Sequence, residues 1–519
     1  MTRHLSASTK CSMSERRERL FSKNCSIGSL IFVAISSLGM FVVFWCTNIF
    51  RDTILSNLEI KEGSSMFERW QRPPVRPAYR VRIFNYTNIE DFQNGRAKKL
   101  KIRELGPYNY RETLTRVNPT INDDGSITYQ EKRSFQWEGG SPDDEIVSVP
   151  NVPLISAMAF SRDMSFVAQV GITAFLTTLQ PSTFIDVTAG GYLWGYDDQI
   201  FEVAKNFMSW QEEIPFEKFG LLAIKNGLSP DRITIDSGKA DISETGRIKS
   251  INGESSLSVW GEAECDKIEG TDGTIFSSKA LENHNSTLQV YARDMCRALP
   301  LEYRGQGMVR GVPTLTYKPP LDALTSTPTK DSCYCARDPS GSKGSPRVCP
   351  PAGIFNSSVC SMNMPFLVSF PHFYTGAEEL LEMVEGLEPR AEDHESFVEI
   401  HPRLGVPIGG VSRFQINVEV RKAVGVPFLG KLKDGTILPL IWIEVGIDGM
   451  PEDLQNRFYH AYYTAAALEA GMKWLSIIGI VFCICRVMCI LKRSRSERHK
   501  ALKRNISGQN PLITIEKDP

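Results

Sequence analysis

The 519-residue chain lacks the motifs that would mark an active site. It holds no Gly-x-Ser-x-Gly elbow, no His-Glu-x-x-His helix and no phosphate-binding glycine loop. Gly305-Gln306-Gly307 with Gly311 has the wrong spacing for a dinucleotide loop and follows no clear strand. His372, His394 and His401 read as strand-end or loop residues rather than a catalytic set, so no enzyme is expected and no cofactor or metal is implied. Excess charge is absent too: the net charge is -1 at pH 7, which gives no reason to expect a nucleic-acid partner. Internal repeats and low-complexity tracts are missing between residues 51 and 472, pointing to one large domain there. No small-residue cleavage site follows Phe50-Arg51-Asp52, so the first apolar run reads as an uncleaved anchor.

What the chain does have is an apolar segment near each end. Ile27 to Phe50 carries no charged residue and, at about 1.5 Å per residue, can cross a bilayer core of roughly 30 Å. The second segment, around Ala461 to Leu491, is interrupted by Lys473 and Arg486. Glu469 stands four residues before Lys473, the favourable order for a helical ion pair, and both cations can snorkel toward headgroups. Lys and Arg cluster outside both segments, which makes both tails cytosolic. The expected layout is a tail at 1–26, a span at 27–50, an extracellular or lumenal domain at 51–464, a span at 465–490 and a tail at 491–519. Met164 to Ile185 is also uncharged, but Gln169, Gln180 and Pro181 make it a soluble, unusually apolar helical region. A two-span ligand-gated channel shares this layout; against it, the second span is short and broken by Arg486.

The twelve cysteines divide by compartment. Cys265, Cys296, Cys333, Cys335, Cys349 and Cys360 fall in the middle domain, where three disulfides are expected and spacing alone leaves about fifteen connectivities open. Zinc held through Cys333 and Cys335 is the alternative. Cys25, Cys483, Cys485 and Cys489 lie beside or in the spans, as candidates for S-acylation or as ordinary apolar filler. Sequons at Asn85, Asn285 and Asn356 suit a glycosylated outer domain. Gly28, Ser36, Ser37 and Gly39 could support span packing, and with it a homo-oligomer.

Strand patterns dominate the middle domain. In residues 413–421, Phe414, Ile416, Val418 and Val420 share one face. Asn122 to Gly125 is a turn between Tyr110–Val117 and Ser126–Phe135, which predicts a hairpin. Thr436 to Val445 reads as a buried strand, Val152 to Leu179 and Gly376 to Gly386 as helices, and 300–353 as loop-rich. The fold class expected is α+β, an antiparallel sheet core with helices at one end.

Several strings carry a resemblance. Glu104-Leu105-Gly106-Pro107-Tyr108-Asn109-Tyr110-Arg111 places a Gly-Pro-Tyr turn before a strand. Leu193-Trp194-Gly195-Tyr196-Asp197-Asp198 follows the apolar helical region, and Cys265 leads into Glu269-Gly270-Thr271-Asp272-Gly273 and Phe276. Ser369-Phe370-Pro371-His372-Phe373, then Gly386-Leu387-Glu388-Pro389 with Glu392-Asp393-His394, and finally Arg413 to Asn417 complete the series. In this order, on a two-span layout, they resemble the class B scavenger receptor family, of fatty acid translocase, high-density-lipoprotein receptor and lysosomal integral membrane protein type. The resemblance implies an irregular antiparallel β-barrel ectodomain with a lipid tunnel and a helical apex. It also selects the pairs Cys265–Cys333, Cys296–Cys360 and Cys335–Cys349 within the disulfide region 265–360, the last closing a loop tipped by Ser340 to Ser345.

The function so implied is a receptor that binds lipids, lipoprotein particles or apolar carrier proteins and passes lipid toward the membrane, at the plasma membrane. A lysosomal or endosomal sorting receptor or lipid exporter is the alternative, and Pro511-Leu512-Ile513 resembles a sorting signal that lacks its upstream acidic residue. The apical region 152–180 is where family members engage partners. Here it departs from the lysine-bearing type: Thr178 and Gln180 stand where lysines are found, and Arg162 and Asp163 are its charged pair. Phe160, Arg162, Met164 and Phe166 are the candidate contacts. Phe160, Met164 and Phe166 either form an exposed apolar surface or are buried between helices, and burial is the expected state.

Overall fold

A computed structural model describes residues 27–208, 216–336, 347–423, 426 and 428–507. Cys25, Leu512, Ile513 and the Ser340–Ser345 loop tip lie outside the described residues. The chain divides into two compact units. One is Asn57–Tyr459; the other comprises the terminal segments Met1–Ser56 and His460–Pro519.

Unit Asn57–Tyr459 is built on one large sheet. Its principal strands are β1 (Ala78–Tyr86), β2 (Leu100–Ile121), β3 (Ser126–Gly140), β4 (Ile233–Asp236), β5 (Ile248–Ile251), β6 (Leu288–Ala292), β7 (Arg297–Val309), β8 (Val312–Lys318), β9 (Phe397–Ile400), β10 (Pro407–Glu419) and β11 (Ile437–Gly446). They run in the order β5-β4-β3-β2-β1-β11-β10-β9-β8-β7-β6, each antiparallel to its neighbour.

The two ends of this order nearly meet. Ile248 N donates to Gly270 O (3.0 Å), and Thr271 bonds β6 through Gln289 O (3.2 Å) and Tyr291 N (2.9 Å). The Glu269–Gly273 string is therefore the staple that turns an open sheet into a near-closed barrel and removes its edges. Gly270 is required there. Its φ is +100°, and a Cβ would lie 2.7 Å from the Gln289 carbonyl carbon.

The sequence patterns explain the central strands. β11 is the uninterrupted apolar run, with Leu438, Leu440, Ile441 and Ile443 at 0% exposure, and it is flanked by β1 and β10 on its two sides. The β2–β3 hairpin forms as its turn predicts, with Gly125 at φ 81° and Arg116 opposite Glu131. Its buried face holds ions as well as apolar groups. Arg133 bridges Glu112 (3.0 Å) and Glu131 (2.9 Å), Arg293 also reaches Glu131, and Arg116 pairs with Asp272 (2.8 Å). Burial alone would raise Glu131, but Arg293 and Arg133 outweigh it and hold its carboxyl at about 2.

Several local expectations are corrected. Gly106-Pro107 is no turn before a strand: β2 runs through it, and the irregularity appears as a register shift against Val81 and Ile83 of β1. The start of the loop-rich 300–353 stretch is the β7–β8 hairpin, in which Gly307 sits in strand; a Cβ there would meet Glu399 of β9 and Thr314 Oγ1 of β8, the latter at 2.8 Å. Gly376 to Gly386 is not one helix. It holds a single turn, Glu378–Leu381, and then Val384–Glu385 pairs in parallel with Leu100–Lys101 of β2. Val152 to Leu179 is two helices, α1 (Val152–Arg162) and α2 (Phe166–Leu179).

The terminal unit holds two helices long and apolar enough to cross a membrane. The first ends at Cys46, short of the expected Phe50, because Thr47 is extended (φ -130°, ψ 162°). The second apolar segment belongs to a helix that continues to Ser507 through the basic residues. Lys473 Nζ meets Glu469 Oε1 at 2.8 Å, the expected pair. The two helices pack together: Ser37 and Ser476 are buried, a Cβ on Gly479 would meet Ser37 Cβ at 3.0 Å, and Trp45 Nε1 donates to Lys473 O (3.3 Å). Gly28 and Gly39 have nothing within 4 Å of a built Cβ.

Candidate functional site

The apical helices rise from a two-stranded ribbon in which Ile146–Pro150 pairs with Phe184–Thr188. Asn151 caps α1 by accepting from Leu154 N (3.0 Å), and Pro153 fits its first turn, where no amide is needed. α1 buries Leu154, Ile155 and Met158 at 0% exposure. It ends at Arg162, and Ser165 caps α2 by accepting from Ala168 N (3.5 Å).

α2 packs through Ile172, Phe175, Leu176 and Leu179. Its opposite face carries Phe166 (78% exposed), Val167 (79%) and Val170 (50%), continued by exposed Gly171, Ala174, Thr177 and Thr178. These positions recur at helical spacing and form one stripe. Its polar atoms are turned inward: Thr177 Oγ1 donates to Thr173 O (2.7 Å) and Thr178 Oγ1 to Ala174 O (3.1 Å). Phe160 at the end of α1 is 55% exposed beside it.

The expected burial of Phe160 and Phe166 is thus overturned; Met164 alone of the three is half-buried. The break at Asp163–Ser165 is the reason. It rotates α2 so that one apolar side packs down, leaving Phe166 and Val167 exposed in its first turn. Arg162 is brought to the same end but pairs with Asp434 (3.1 Å), whose Oδ1 also accepts from Lys422 N (2.7 Å). The apex therefore offers apolar surface with its nearest cation compensated.

The three bridges of the structure are Cys265–Cys333, Cys296–Cys360 and Cys335–Cys349, with Cα separations of 6.0, 6.0 and 4.5 Å. These are the pairs the resemblance implies. They overturn the zinc alternative, since Cys333 and Cys335 belong to different bridges. Of the sequons, Asn285 is exposed, while Asn85 and Asn356 are half-buried, with Asn85 Oδ1 accepting from Ser148 N (2.7 Å). Cys483 is buried against the first span, its Sγ 3.8 Å from Leu30 O, which removes it as an accessible acylation site; Cys485 and Cys489 are exposed.

A second cluster escaped the sequence reading. His372, His394 and His401 are all buried, and the first two lie together. Their rings stack at 4.6 Å and 8°, against the edge-on Trp442 of β11. Glu104 of β2 accepts from His372 Nε2 and Trp442 Nε1, both at 2.8 Å, while Arg82 of β1 lies 4.3 Å over the Trp442 ring. Burial works against the Glu104 charge, but His372, Trp442 and Arg82 together hold its carboxyl below the usual range. The available signal was that Glu104, His372 and His394 all lie inside the quoted strings; distance in sequence concealed their meeting at Trp442. Among the described residues no group of metal-ligating side chains gathers.

A family model, the CD36 family, matches residues 27–491. The chain belongs to the CD36 family. This CD36 family member is 30% identical over 461 residues to Scavenger receptor class B member 1 of Sus scrofa, covering 86% of this chain and 87% of that protein. It is 30% identical over 375 residues to Lysosome membrane protein 2 of Homo sapiens, covering 71% of this chain and 74% of that one. Scavenger receptor class B member 1 of Bos taurus is 28% identical over 469 residues, 89% and 87% of the two chains. The α+β architecture, the near-closed antiparallel barrel and the two terminal apolar helices belong to a two-span membrane protein related to scavenger receptors.

Proposed function

We propose that this CD36 family member is a two-span receptor without a catalytic step, which captures lipid, lipoprotein or an apolar carrier at its apex. From there it passes lipid toward the membrane through the interior of the barrel. The observation that carries this reading is the uncharged stripe of α2, with Phe166, Val167 and Val170 exposed and the threonine hydroxyls bonded back into the helix. Such a surface gains by leaving water against an apolar partner, and it offers nothing to an anionic particle. The resemblance supports the transfer route, and fixing the outer domain at two points holds such a conduit above the bilayer.

The test is capture of neutral lipid emulsion particles by cells displaying the chain. Phe166→Asp with Val170→Asp should cut capture at least tenfold at unchanged surface level, whereas Arg162→Ala should change it less than twofold. Undiminished capture by the double variant would remove the apical reading.

A second location is favoured by the similarity to Lysosome membrane protein 2. If the tail sorts the chain to lysosomes, Leu512→Ala with Ile513→Ala raises the surface-biotinylated fraction; equal levels argue against a sorting tail.

A further inference from the structure

The strap of residues 386–394 is fixed at both ends and mostly exposed between them. Before it, Val384–Glu385 is paired with β2; after it, Glu395 accepts from Lys318 Nζ (2.5 Å) and its carbonyl accepts from Arg413 Nη1 (2.6 Å). From Gly386 to Glu392 the residues are exposed apart from half-buried Leu387, and His394 is the buried anchor at the far end.

Both histidines of the stack hold this strap by the same device. Glu388 N donates to His372 Nδ1 (3.1 Å) and Arg390 N donates to His394 Nδ1 (3.0 Å). Each Nδ1 is therefore an acceptor, so each ring carries a proton on Nε2, and His372 donates that proton to Glu104. A second proton on His394 must go to Nδ1, where it faces the Arg390 N–H and breaks that bond to the strap.

Two carboxylates, Glu104 and Asp393, favour charge on His394, but both are already engaged, Glu104 also with His372 (2.8 Å). Arg82 from β1 and Glu104 from β2 pair with each other (3.2 Å), and on the strap's own turn Arg390 pairs with Asp393 (2.9 Å). β11 contributes the uncharged Trp442. Burial, then the neighbouring His372, pushes the His394 imidazole down to about 4. The segment beneath is also strained: His372, Phe373 and Thr375 have φ of 53°, 54° and 69°, left-handed conformations that these side chains rarely adopt. His372 N is held down by Gln415 Oε1 (2.7 Å).

We propose that the His372–His394 stack is an acid-operated clamp, which keeps residues 386–394 on the sheet at neutral pH and releases them when His394 takes up a proton. Release uncovers Trp442 and frees the Arg82–Glu104 pair. The device is independent of which ligand the apex takes. It gives a receptor that passes through acidic compartments a second surface conformation there.

Hydrogen exchange on the detergent-solubilised full chain at pH 7.4 and pH 4.5, corrected for the pH dependence of intrinsic exchange, reads the clamp directly. The Glu388 and Arg390 amides should exchange at least tenfold faster in acid, while those of β11 change less than twofold. His394→Phe keeps the stack but cannot titrate, and His394→Gln keeps an acceptor for the Arg390 amide; either variant should abolish the acid effect at these amides. Equal corrected rates at both pH values would overturn the clamp. So would an acid effect that survives in both variants, or an equal rise in β11, which would mark general loosening.

Discussion

Acid should destabilise the outer unit through His401, and the structure sets the size of the effect. The ring is fully buried (0% exposed); Nε2 meets Phe458 O at 3.1 Å, and Nδ1 accepts from the Arg403 and Leu404 amides, both at 3.2 Å. Burial pushes it from 6.5 down to about 4. Unfolded chains therefore bind the extra proton throughout the interval between these values. Stability from this group is complete above pH 6.5 and is lost as pH falls toward 4. With those two values the loss at pH 5 is about 2 kcal/mol. For a unit spanning Asn57–Tyr459 the unfolding entropy is on the order of 0.8 kcal/mol per kelvin, so the melting temperature should drop by roughly 2–3 °C on this account alone. His401→Gln cannot titrate. It should melt lower than the parent at pH 7.4, through the lost packing of the ring against Phe458, yet show a shift between pH 7.4 and 5 that is smaller by that amount. Scanning calorimetry or intrinsic fluorescence melts of the solubilised chain read both. An unchanged shift in the variant would refute the argument that burial of this ring couples folding to protons.

Other consequences follow from particular contacts. Glu131→Gln should cost about 3–5 kcal/mol in denaturant melts, because it removes the carboxylate charge that compensates Arg133 and Arg293 beneath the hairpin. Removing Cys335–Cys349, with a separation of 14, should cost about 3 kcal/mol. Removing Cys265–Cys333, with a separation of 68, should cost about 4 kcal/mol, so the order of the two melting shifts is the check. Leu30→Cys should form an oxidative cross-link to the native Cys483, seen as a change in gel mobility after cleavage between the spans; adding Gly479→Leu, which drives a side chain into Ser37, should abolish it.

Much of this fold could be read from periodicity. The alternation of β10, the unbroken apolar run of β11 and the Asn122–Gly125 turn mark three parts of the sheet, with β1 joining the hairpin to β11. Glycine misled where tertiary contact decided. Gly106 reads as a turn residue and Gly307 as part of a loop-rich stretch, but both sit inside strands, because a neighbouring strand leaves no room for a Cβ. The apex was half legible. Its lack of charge is plain in the sequence, but composition does not distinguish an exposed Phe166 from a buried one; the Asp163–Ser165 break decides that. The histidine stack was not legible, since His372 and His394 meet only after the strap folds back over β1, β2 and β11. Its chemistry depends on two backbone amides that have no sequence signature.

The claim that this chain binds lipid in its outer unit is tested most directly by photolabelling. Purified full-length chain would be irradiated with a photoreactive fatty acid or sterol, and the adducts mapped by peptide mass. The account expects labelling within residues 57–459 that saturates and is competed by unlabelled lipid. Labelling confined to the two terminal helices, or labelling of 57–459 that neither saturates nor is competed, would contradict it.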